Sequence, residues 1–460
     1  MVKKNYAIYG AGYAGLHIFE ELSELKDVNI VCFVDDNNDL RLKKIRDIEI
    51  LRPNEFNLKV NNSEIDLLII AIPSASSLSI RVIYNTYYKK IPNIKILPSL
   101  DKILYNVPFA DQTKEIDFNF LLNRSPKSFD PKDVISLVKD KIIMITGGGG
   151  SIGSELTNQC FKFGAKKIII VDSSEFNLYT IYGNYSDNDN VIPILLNVTD
   201  KKRLKNIFIK YKPEIIIHAA AYKHVNMIEK NRIGGVINNV LGTKNCIDLS
   251  IEYNAEKFIL VSTDKAVRPT NVMGASKRIC ELYVQNVDSK TTEVVAVRFG
   301  NVLGSSGSVI PKFKNQIKLG GPVTVTHPDI TRYFMLISEA CQLVLQSGSL
   351  GKGGEIFILN MGEPVKIVDL AEKLIKLSNS EDKLEIKFSG LNPGEKLYEE
   401  LIISDSEAST VHEEITIAKP TNYNYNILTK DINKLLNSKS DHSLLINLKK
   451  IVREFNHKLN

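Results

Sequence analysis

Thr146-Gly147-Gly148-Gly149-Gly150-Ser151-Ile152-Gly153 lies between an apolar run at 142–145 and a helix-like stretch, and its reading decides the fold. The glycines at 147, 150 and 153 keep a GxxGxxG spacing at a strand-to-helix turn, where side chains would block a pyrophosphate. Glycine permits both the tight turn and close backbone approach, while the N–H groups and positive end of the following helix face the phosphates. Asp172 ends the next strand, nineteen residues after Gly153. A carboxylate there can accept hydrogen bonds from both ribose hydroxyls and repels a 2′-phosphate, so the pattern favours NAD over NADP. Gly147, Gly150, Ser151, Ile152, Gly153 and Asp172 are therefore candidate cofactor residues.

The same order of events occurs earlier in the chain. An apolar segment at 6–9 leads into Gly10-Ala11-Gly12-Tyr13-Ala14-Gly15, and a strand at 29–34 ends at Asp35-Asp36, twenty residues after Gly15. Further strands are expected at 67–72 and 94–97, each closed by a proline that lacks the N–H to continue a ladder. Nothing chemical accompanies this first glycine turn, so it reads equally as an accessory nucleotide-binding site and as a structural or regulatory nucleotide fold, and no catalysis is expected of it. After the second turn, strands are expected at 142–145, 167–171, 215–218, 258–262, 294–298 and 356–360, with helices between them. The fold class is α/β, with two dinucleotide-type, doubly wound parallel sheets in tandem. The expected limits are a first domain at 1–105, a linker at 106–140 with a short helix after Asp130-Pro131, a catalytic domain at 141–430 and one C-terminal helix at 431–460. That last helix rests on Leu444, Leu448, Ile451, Val452, Phe455 and Leu459, which recur at helical spacing.

Bulk composition narrows the class. With 460 residues, 43% hydrophobic and 24% charged, the chain can bury more than one core. The formal charge of +6 is small for this length and is not gathered into a basic block, so nucleic-acid binding is not expected. Cys32, Cys160, Cys246, Cys280 and Cys341 are scattered and form no CxxC pair, which fits a reducing cytoplasm and neither a disulfide framework nor a zinc site. His218 and His224 lack a third ligand at suitable spacing, so no metal is expected and backbone or substrate contacts are expected instead. Apolar runs are strand-sized, well below the ~18 residues of a membrane span, and no secretory signal opens the sequence.

The chemistry concentrates at 258–266, where a buried strand ends in Thr263, Asp264 and Lys265, a hydroxyl, a carboxylate and an amine in succession. They fall at the carboxyl edge of the sheet, where open α/β folds carry ligands. Met273-Gly274-Ala275-Ser276-Lys277 follows with the spacing of the YxxxK pair of short-chain dehydrogenases, with methionine at the tyrosine position. Thr263 to Gly274, together with the glycine turn, resembles the CapD-like polysaccharide-biosynthesis family, the UDP-N-acetylglucosamine 4,6-dehydratases. The blocks at 218–225, 239–243, 298–305, 327–333 and 393–397 resemble it in order and spacing. The resemblance covers nearly the whole second unit, and the first unit looks like the accessory Rossmann domain that precedes it in longer members.

The resemblance implies an extended short-chain dehydrogenase/reductase fold with a small substrate-binding C-terminal part, and a redox-neutral NAD cycle on a UDP-sugar. It assigns Asp264 as acid, Lys265 as base and Lys277 to the nicotinamide ribose. Thr263 is the nearest candidate acceptor for the carbon-four hydroxyl proton, because Met273 cannot take one. A lysine is a base only with a lowered pKa, and Lys277 is the expected source of that lowering. Ser173, Asn197, Val198, Ala219, Ala220 and Ala221 join the cofactor set, and Lys223, His224, Asn301, Ser305, Arg332 and Glu395 the substrate set. Arg332, with a fork that matches phosphate oxygens, is foremost among these. Two departures stand out: Asn392 replaces the family's arginine before Pro393-Gly394-Glu395-Lys396, and the membrane-anchoring region usual in members with this methionine does not precede the first unit. A cytoplasmic homo-oligomer is expected, or a protein at the cytoplasmic face of the inner membrane if the chain is a truncated form. The rival readings are a carbon-five-inverting dehydratase, a nucleotide-sugar epimerase, and a non-catalytic NAD or nucleotide sensor.

Overall fold

The computed structural model describes residues 3–25, 27–40, 43–62, 65–88, 90–97, 114–115, 131–377, 384–402 and 408–457. The chain divides into two compact units, residues 1–125 with 313–323 and 369–386, and residues 126–312 with 324–368 and 387–460. The segments 313–323 and 369–386, expected in the catalytic domain, thus group with the first unit. Among the described residues, neither contributes a strand to the large second sheet. Most of the expected linker lies outside the described residues. Its described end is the helix Lys132–Val138, which buries Val134 and Val138 in the core of the second unit, so that unit begins ahead of residue 141. Pro131 itself holds the N-cap position, with φ −74° already helical, and Asp130 lies outside the described residues.

In the first unit, strands β1 (Lys4–Tyr9), β2 (Val28–Val34), β3 (Lys44–Ile45), β4 (Ile48–Leu51), β5 (Leu67–Ile70), β6 (Asn93–Ile96) and β7 (Lys114–Glu115) form one sheet of order β3-β4-β2-β1-β5-β6-β7. The pairs among β4, β2, β1, β5 and β6 are parallel, and the short edge strands β3 and β7 are antiparallel. The register of β2 on β1 slips by one residue at Tyr6/Ala7. That slip puts Ile30 and Phe33, three residues apart, in the same buried layer.

The second unit contains β8 (Ile142–Thr146), β9 (Lys167–Asp172), β10 (Val191–Leu195), β11 (Ile215–His218), β12 (Lys257–Val261) and β13 (Glu293–Arg298), in the order β10-β9-β8-β11-β12-β13. Ile356–Leu359 adds to β13 in parallel, and Ile415–Ile417 and Ala408–Ser409 close that edge antiparallel. Both faces are buried, as near-continuous apolar strands require. Met144, Ile169, Ile216 and Phe258 point into one core, and their neighbours Ile143, Ile168, Ile217 and Ile259 into the other. Strand β10 was not expected from the sequence. Pro193 interrupts its pattern, and an edge strand tolerates the missing N–H. Strand order reverses between β8 and β11, which opens a ligand crevice at their carboxyl ends.

The single C-terminal helix expected from spacing is two helices, Tyr425–Leu436 and Asp441–Ile451. Asn424 caps the first, and Ser440 starts the second with a capping box, two start signals that lie ahead of the apolar period at 444–459. Val452 leaves the helix with φ −105° and ψ 91°, yet it and Phe455 stay in the same core as Leu444 and Leu448. Leu459 lies outside the described residues.

One buried ionic cluster ties the strand ends together. Glu281 accepts hydrogen bonds from Ser262 Oγ at 2.8 Å, Arg298 Nε at 3.0 Å, Arg298 Nη2 at 2.7 Å and Arg278 Nη1 at 3.2 Å. Burial alone would push the Glu281 carboxyl up, but the two guanidiniums hold it below the usual range. Arg298→Met leaves that carboxylate short of its main partner. It is expected to cost about 3 kcal/mol in urea unfolding, and a loss below about 1 kcal/mol would show that Arg278 suffices.

Candidate active site

The glycine turn is built by contacts that exclude a Cβ. At Gly147, with φ +67°, a Cβ would lie 2.7 Å from Ala220 Cα, and at Gly153 it would lie 2.1 Å from Gly147 O. At Gly150 it would meet only Gly147 O, at 3.3 Å, so the space before this middle glycine is otherwise open. The first helical hydrogen bond of Ser151–Lys162 runs from Ser154 N to Gly150 O, so the N–H groups of 151–153 precede the ladder. Asp172 has a structural duty besides the expected one, since its oxygens accept from Gly149 N at 2.9 Å and Ser174 N at 2.8 Å. Lone pairs remain on both oxygens for a ribose. This donor set, open middle glycine and carboxylate fit a dinucleotide.

The acid–base stretch forms a tight turn, Asp264–Ala266, directly after β12. Helix Val272–Asn286 begins against it, capped by Asn271 Oδ1 from Gly274 N at 2.8 Å. A Cβ on Gly274 would sit 2.1 Å from Lys265 O, so only glycine lets the Met273 and Lys277 helix reach the turn. Both of those residues are buried. The Pro393–Lys396 turn clamps the same loop. Gly394 O accepts from Thr270 Oγ1 at 2.8 Å and Asn271 Nδ2 at 3.0 Å, and Lys396 Nζ donates to Val267 O at 2.9 Å.

Around Lys265 the charges alternate. Its Nζ donates to Asp264 Oδ1 at 3.0 Å and Asn301 Oδ1 at 3.3 Å, and lies 3.5 Å from Glu399 Oε1. That same Glu399 oxygen is 3.7 Å from Arg332 Nε, while Arg332 Nη2 pairs with Glu395 Oε1 at 3.2 Å. Thr263 Oγ1 donates to Asp264 Oδ1 at 2.9 Å. Asp264 is fully buried, and among the described residues its Oδ2 has no hydrogen-bond partner.

The Lys265 pKa is raised, where the sequence led to an expected lowering. Burial acts in that direction, but the Asp264 and Glu399 carboxylates outweigh it and hold the ammonium above its ordinary range. The opposing cation beside Lys265 is Arg332, not Lys277. Burial lowers Lys277 itself, and Lys223 is lowered by desolvation and the like charge of Lys265.

The remaining expected residues divide. Ala219 to Ala221 follow β11 and press Ala220 against Gly147. Asn197 Oδ1 accepts from Thr199 N and Oγ1, and Val198 is buried against the Gly242 backbone, so both shape the turn after β10. Ser173 is exposed, and it is Ser174 that caps the next helix. Ser151 Oγ accepts from Ser306 N at 3.1 Å, which ties the 304–307 loop to the glycine turn, and His224 lies where a Cβ on Gly307 would fall. Ser305 Oγ turns into its own loop and donates to Val302 O at 3.3 Å. The Arg332 fork is also engaged by Thr331 O and Leu397 O, and Asn392 donates twice to Glu395, so Arg332 and Glu395 form one polar body rather than two separate contacts.

His218 does not face a substrate. It is fully buried between Thr146 Oγ1 at 2.7 Å and Thr243 Oγ1 at 3.0 Å. Thr243 donates to Asn239 O, so Nε2 of His218 carries the hydrogen and Nδ1 accepts. Among the described residues, no group of three or more His, Cys, Asp or Glu side chains is placed to hold a metal. Within the same residues, no helix is long and apolar enough to cross a membrane.

Two site residues carried no expected role, although Asn239 opens the 239–243 block. Glu399 stands two positions beyond the 393–397 block, and its only signal was a carboxylate two places past a conspicuous motif. Asn239 is buried in a π-helical turn, Ile237–Leu241, and its amide binds Tyr222 O and Ser276 Oγ, which latches the Ala221-Tyr222 loop to the Lys277 helix.

A glycine turn, an acid at the next strand end and an acid–base turn on one carboxyl edge define a Rossmann-type enzyme of the short-chain dehydrogenase/reductase class. The family model described as Polysaccharide biosynthesis protein matches residues 143–420, and one described as C2185-like, N-terminal, matches residues 2–96. The chain belongs to the polysaccharide biosynthesis protein family, CapD-like, a family of nucleotide-sugar dehydratases and epimerases. Capsular polysaccharide biosynthesis protein CapD of Staphylococcus aureus is 40% identical over 460 residues, covering 96% of this chain and 76% of its own. The probable polysaccharide biosynthesis protein EpsC of Bacillus subtilis (strain 168) is 40% identical over 435 residues, with 92% and 73% covered. Pen from Bacillus thuringiensis, a solved structure, matches with TM-score 0.57 and 32% identity over 62% of this chain and 92% of that one. DesIV (dTDP-glucose 4,6-dehydratase) from Streptomyces venezuelae, solved with NAD and TYD bound, shares the fold at TM-score 0.51 and 20% identity, over 56% and 87%.

Burial, with Lys277 nearby, lowers the His218 pKa to about 3, so the folded protein keeps it neutral where the unfolded chain, near 6.5, takes up a proton. This contribution to stability is therefore present above pH 6.5 and is lost as pH falls towards 3. Its slope is about 1.4 kcal/mol per pH unit. His218→Gln should flatten the stability profile between pH 6.5 and 5 by about that amount in denaturant titrations; an unchanged slope would mean that His218 is protonated in the fold.

Proposed function

We propose that the second unit dehydrates UDP-N-acetylglucosamine to a UDP-4-keto-6-deoxy-N-acetylhexosamine, for glycan or polysaccharide assembly, with NAD as a tightly held cofactor. The observation that carries this reading is the Asp264–Lys265 pair, joined at 3.0 Å and pressed by Gly274 onto the Lys277 helix, on the sheet edge that also bears the glycine turn. Gly147, Gly150 to Gly153 and Asp172 would hold the dinucleotide, with Lys277 on its nicotinamide ribose. When bound, NAD supplies the hydride acceptor at sugar carbon four and the donor at carbon six.

The chain's own residues handle the protons. Met273 has none to exchange, so Thr263 would relay the carbon-four hydroxyl proton, its oxygen accepting that proton while its own hydrogen passes on to water. Elimination then needs a base for the carbon-five proton and an acid for the carbon-six hydroxyl. The raised Lys265 and its carboxylate neighbour share one proton between them. Moving that proton along the 3.0 Å hydrogen bond converts the ion pair into protonated Asp264 and neutral Lys265, the acid and base of the reaction. Exclusion of water by bound sugar favours this neutral form, because desolvation costs an ion pair more. Asp264 Oδ2, buried and without a partner among the described residues, is the oxygen free to serve the leaving hydroxyl. After elimination Lys265 holds the carbon-five proton and returns it, and the pair regains one proton from water.

The charge state also permits a second reading, in which Asp264 is the base and Lys265 the acid. Met273 disfavours epimerisation, for which relatives of this fold keep a tyrosine. Incubation with NAD and UDP-N-acetylglucosamine should yield a product lighter by one water in mass spectrometry, whereas an isomeric product would make the protein an epimerase and unchanged sugar a sensor. Asp264→Asn and Lys265→Met should each lower kcat by at least about 100-fold while dinucleotide still binds. Lys265→Arg, permanently cationic, should be as inactive as Lys265→Met if lysine is the base, and measurable turnover by it would transfer that role to Asp264.

A further inference from the structure

Glu399 carries a negative charge into the protein without an obvious reason to be there. Its side chain is 4% exposed, its Oε2 has no partner among the described residues, and its Oε1 is shared between Lys265 at 3.5 Å and Arg332 at 3.7 Å. Both distances are those of ion pairs and neither is a tight hydrogen bond, so the carboxylate is held between two cations and fully engaged by neither. Arg332 continues through Glu395 to Asn392 and Thr326, while Lys265 continues to Asp264 and Thr263. One uninterrupted row of alternating charge, Asp264, Lys265, Glu399, Arg332 and Glu395, therefore joins the acid–base pair to the residues assigned to the nucleotide.

We propose that Glu399 is a positioning residue that keeps the single shared proton on the Asp264–Lys265 pair, and does so more firmly when a nucleoside diphosphate engages Arg332. The inference rests on the dehydratase reading for its catalytic meaning, but not for its electrostatics. The charged groups facing Lys265 are Asp264 and Glu399, which favour its cationic form, and Arg332 and Lys223, which oppose it. Burial also opposes it. Without the Glu399 charge, two cations and desolvation act against one carboxylate, and the pair surrenders its proton at lower pH. An anionic diphosphate that draws Arg332 off removes one opposing cation and lets Glu399 tighten on Lys265. Nucleotide binding would thus set the proton content of the pair before the hexose reacts.

The test uses Glu399→Gln and Glu399→Asp in the full chain, with two readouts. In the first, kcat for UDP-N-acetylglucosamine is followed against pH. The alkaline limb of Glu399→Gln should move down by about one pH unit, with kcat below the limb within about 3-fold of wild type and the limb partly restored in Glu399→Asp. A uniform fall in kcat at every pH, with the limb unmoved, would be the mark of a merely structural residue and would overturn the proposal. The second readout needs no turnover: NMR of ¹³C-dimethylated lysines, with Lys265 assigned from Lys265→Arg, follows its titration with and without UDP. In wild type UDP should raise the Lys265 midpoint. In Glu399→Gln the midpoint should start lower and respond less, and equal midpoints and responses in the two proteins would sink the proposal. A Lys265 titration that behaves as expected in a protein that leaves the sugar unchanged would refute the dehydratase reading alone.

Discussion

The site depends on one close approach between two backbones. Helix Val272–Asn286 meets the Asp264–Ala266 turn so closely that a Cβ at Gly274 would lie 2.1 Å from Lys265 O. This contact fixes the acid–base pair relative to Lys277, and several other features serve to hold it. Asn271 caps the helix where it meets the turn, Gly394 O receives two hydrogen bonds from Thr270 and Asn271, and Glu229 Oε1 accepts from Val272 N at 2.8 Å. Behind the contact, Glu281 ties the end of β12 through Ser262 to β13 through Arg298. Side-chain positions a few tenths of an ångström out would be costly for proton transfer, and a site built on a strand end and a helix start is stiffer than one carried on a loop.

What the sequence made legible was local. The glycine turns, the strands on either side of them and the Thr263-Asp264-Lys265 run each declare themselves within a dozen residues, because strand period and turn chemistry are properties of neighbours. The charge on Lys265 could not be read in that way. It depends on Glu399 and Arg332, 134 and 67 positions away in the chain, and sequence separation carries no distance. For the same reason the Arg332 fork looked free for phosphate, although Glu395 and two carbonyl oxygens already engage it. The C-terminal helices failed differently. The apolar period that begins at Leu444 ran past the helix end at Ile451 because Val452 and Phe455 stay in the same core, so the period reported burial and not continuity.

The first unit supplies an internal control on what a glycine motif means. There Gly10, with φ +108°, abuts Ala71 as Gly147 abuts Ala220, and a Cβ at Gly15 would lie 1.9 Å from Gly10 O, as one at Gly153 would lie 2.1 Å from Gly147 O. Asp35 accepts from Ala11 N at 2.7 Å, the counterpart of Asp172 and Gly149 N. The outer glycines and the acid are therefore accounted for in both units by the turn itself, whether or not a ligand is present. Only the middle glycines escape that account, since a Cβ on Gly12 meets nothing within 4 Å and one on Gly150 meets a single carbonyl oxygen at 3.3 Å. Packing makes no demand for glycine at Gly12 and only a mild one at Gly150, so these two residues are the part of each motif least explained by the turn.

The two units differ in what accompanies the turn. In the second, the strand beside the switch point delivers a carboxylate and an amine into a row of five alternating charges, of which Asp264, Glu399 and Arg332 are buried and Lys265 and Glu395 partly so. Such a row is a poor way to stabilise a fold, since each buried ion forfeits hydration that its partners only partly restore, and apolar residues of similar volume would serve at least as well. Its value lies in the protonation states it fixes. An isolated buried lysine would lose its proton and an isolated buried carboxylate would gain one. In this row the Asp264 and Glu399 carboxylates hold Lys265 in its charged form against burial and Arg332. In the proposed dehydratase, the electrostatic cost of the row is the source of the chemistry.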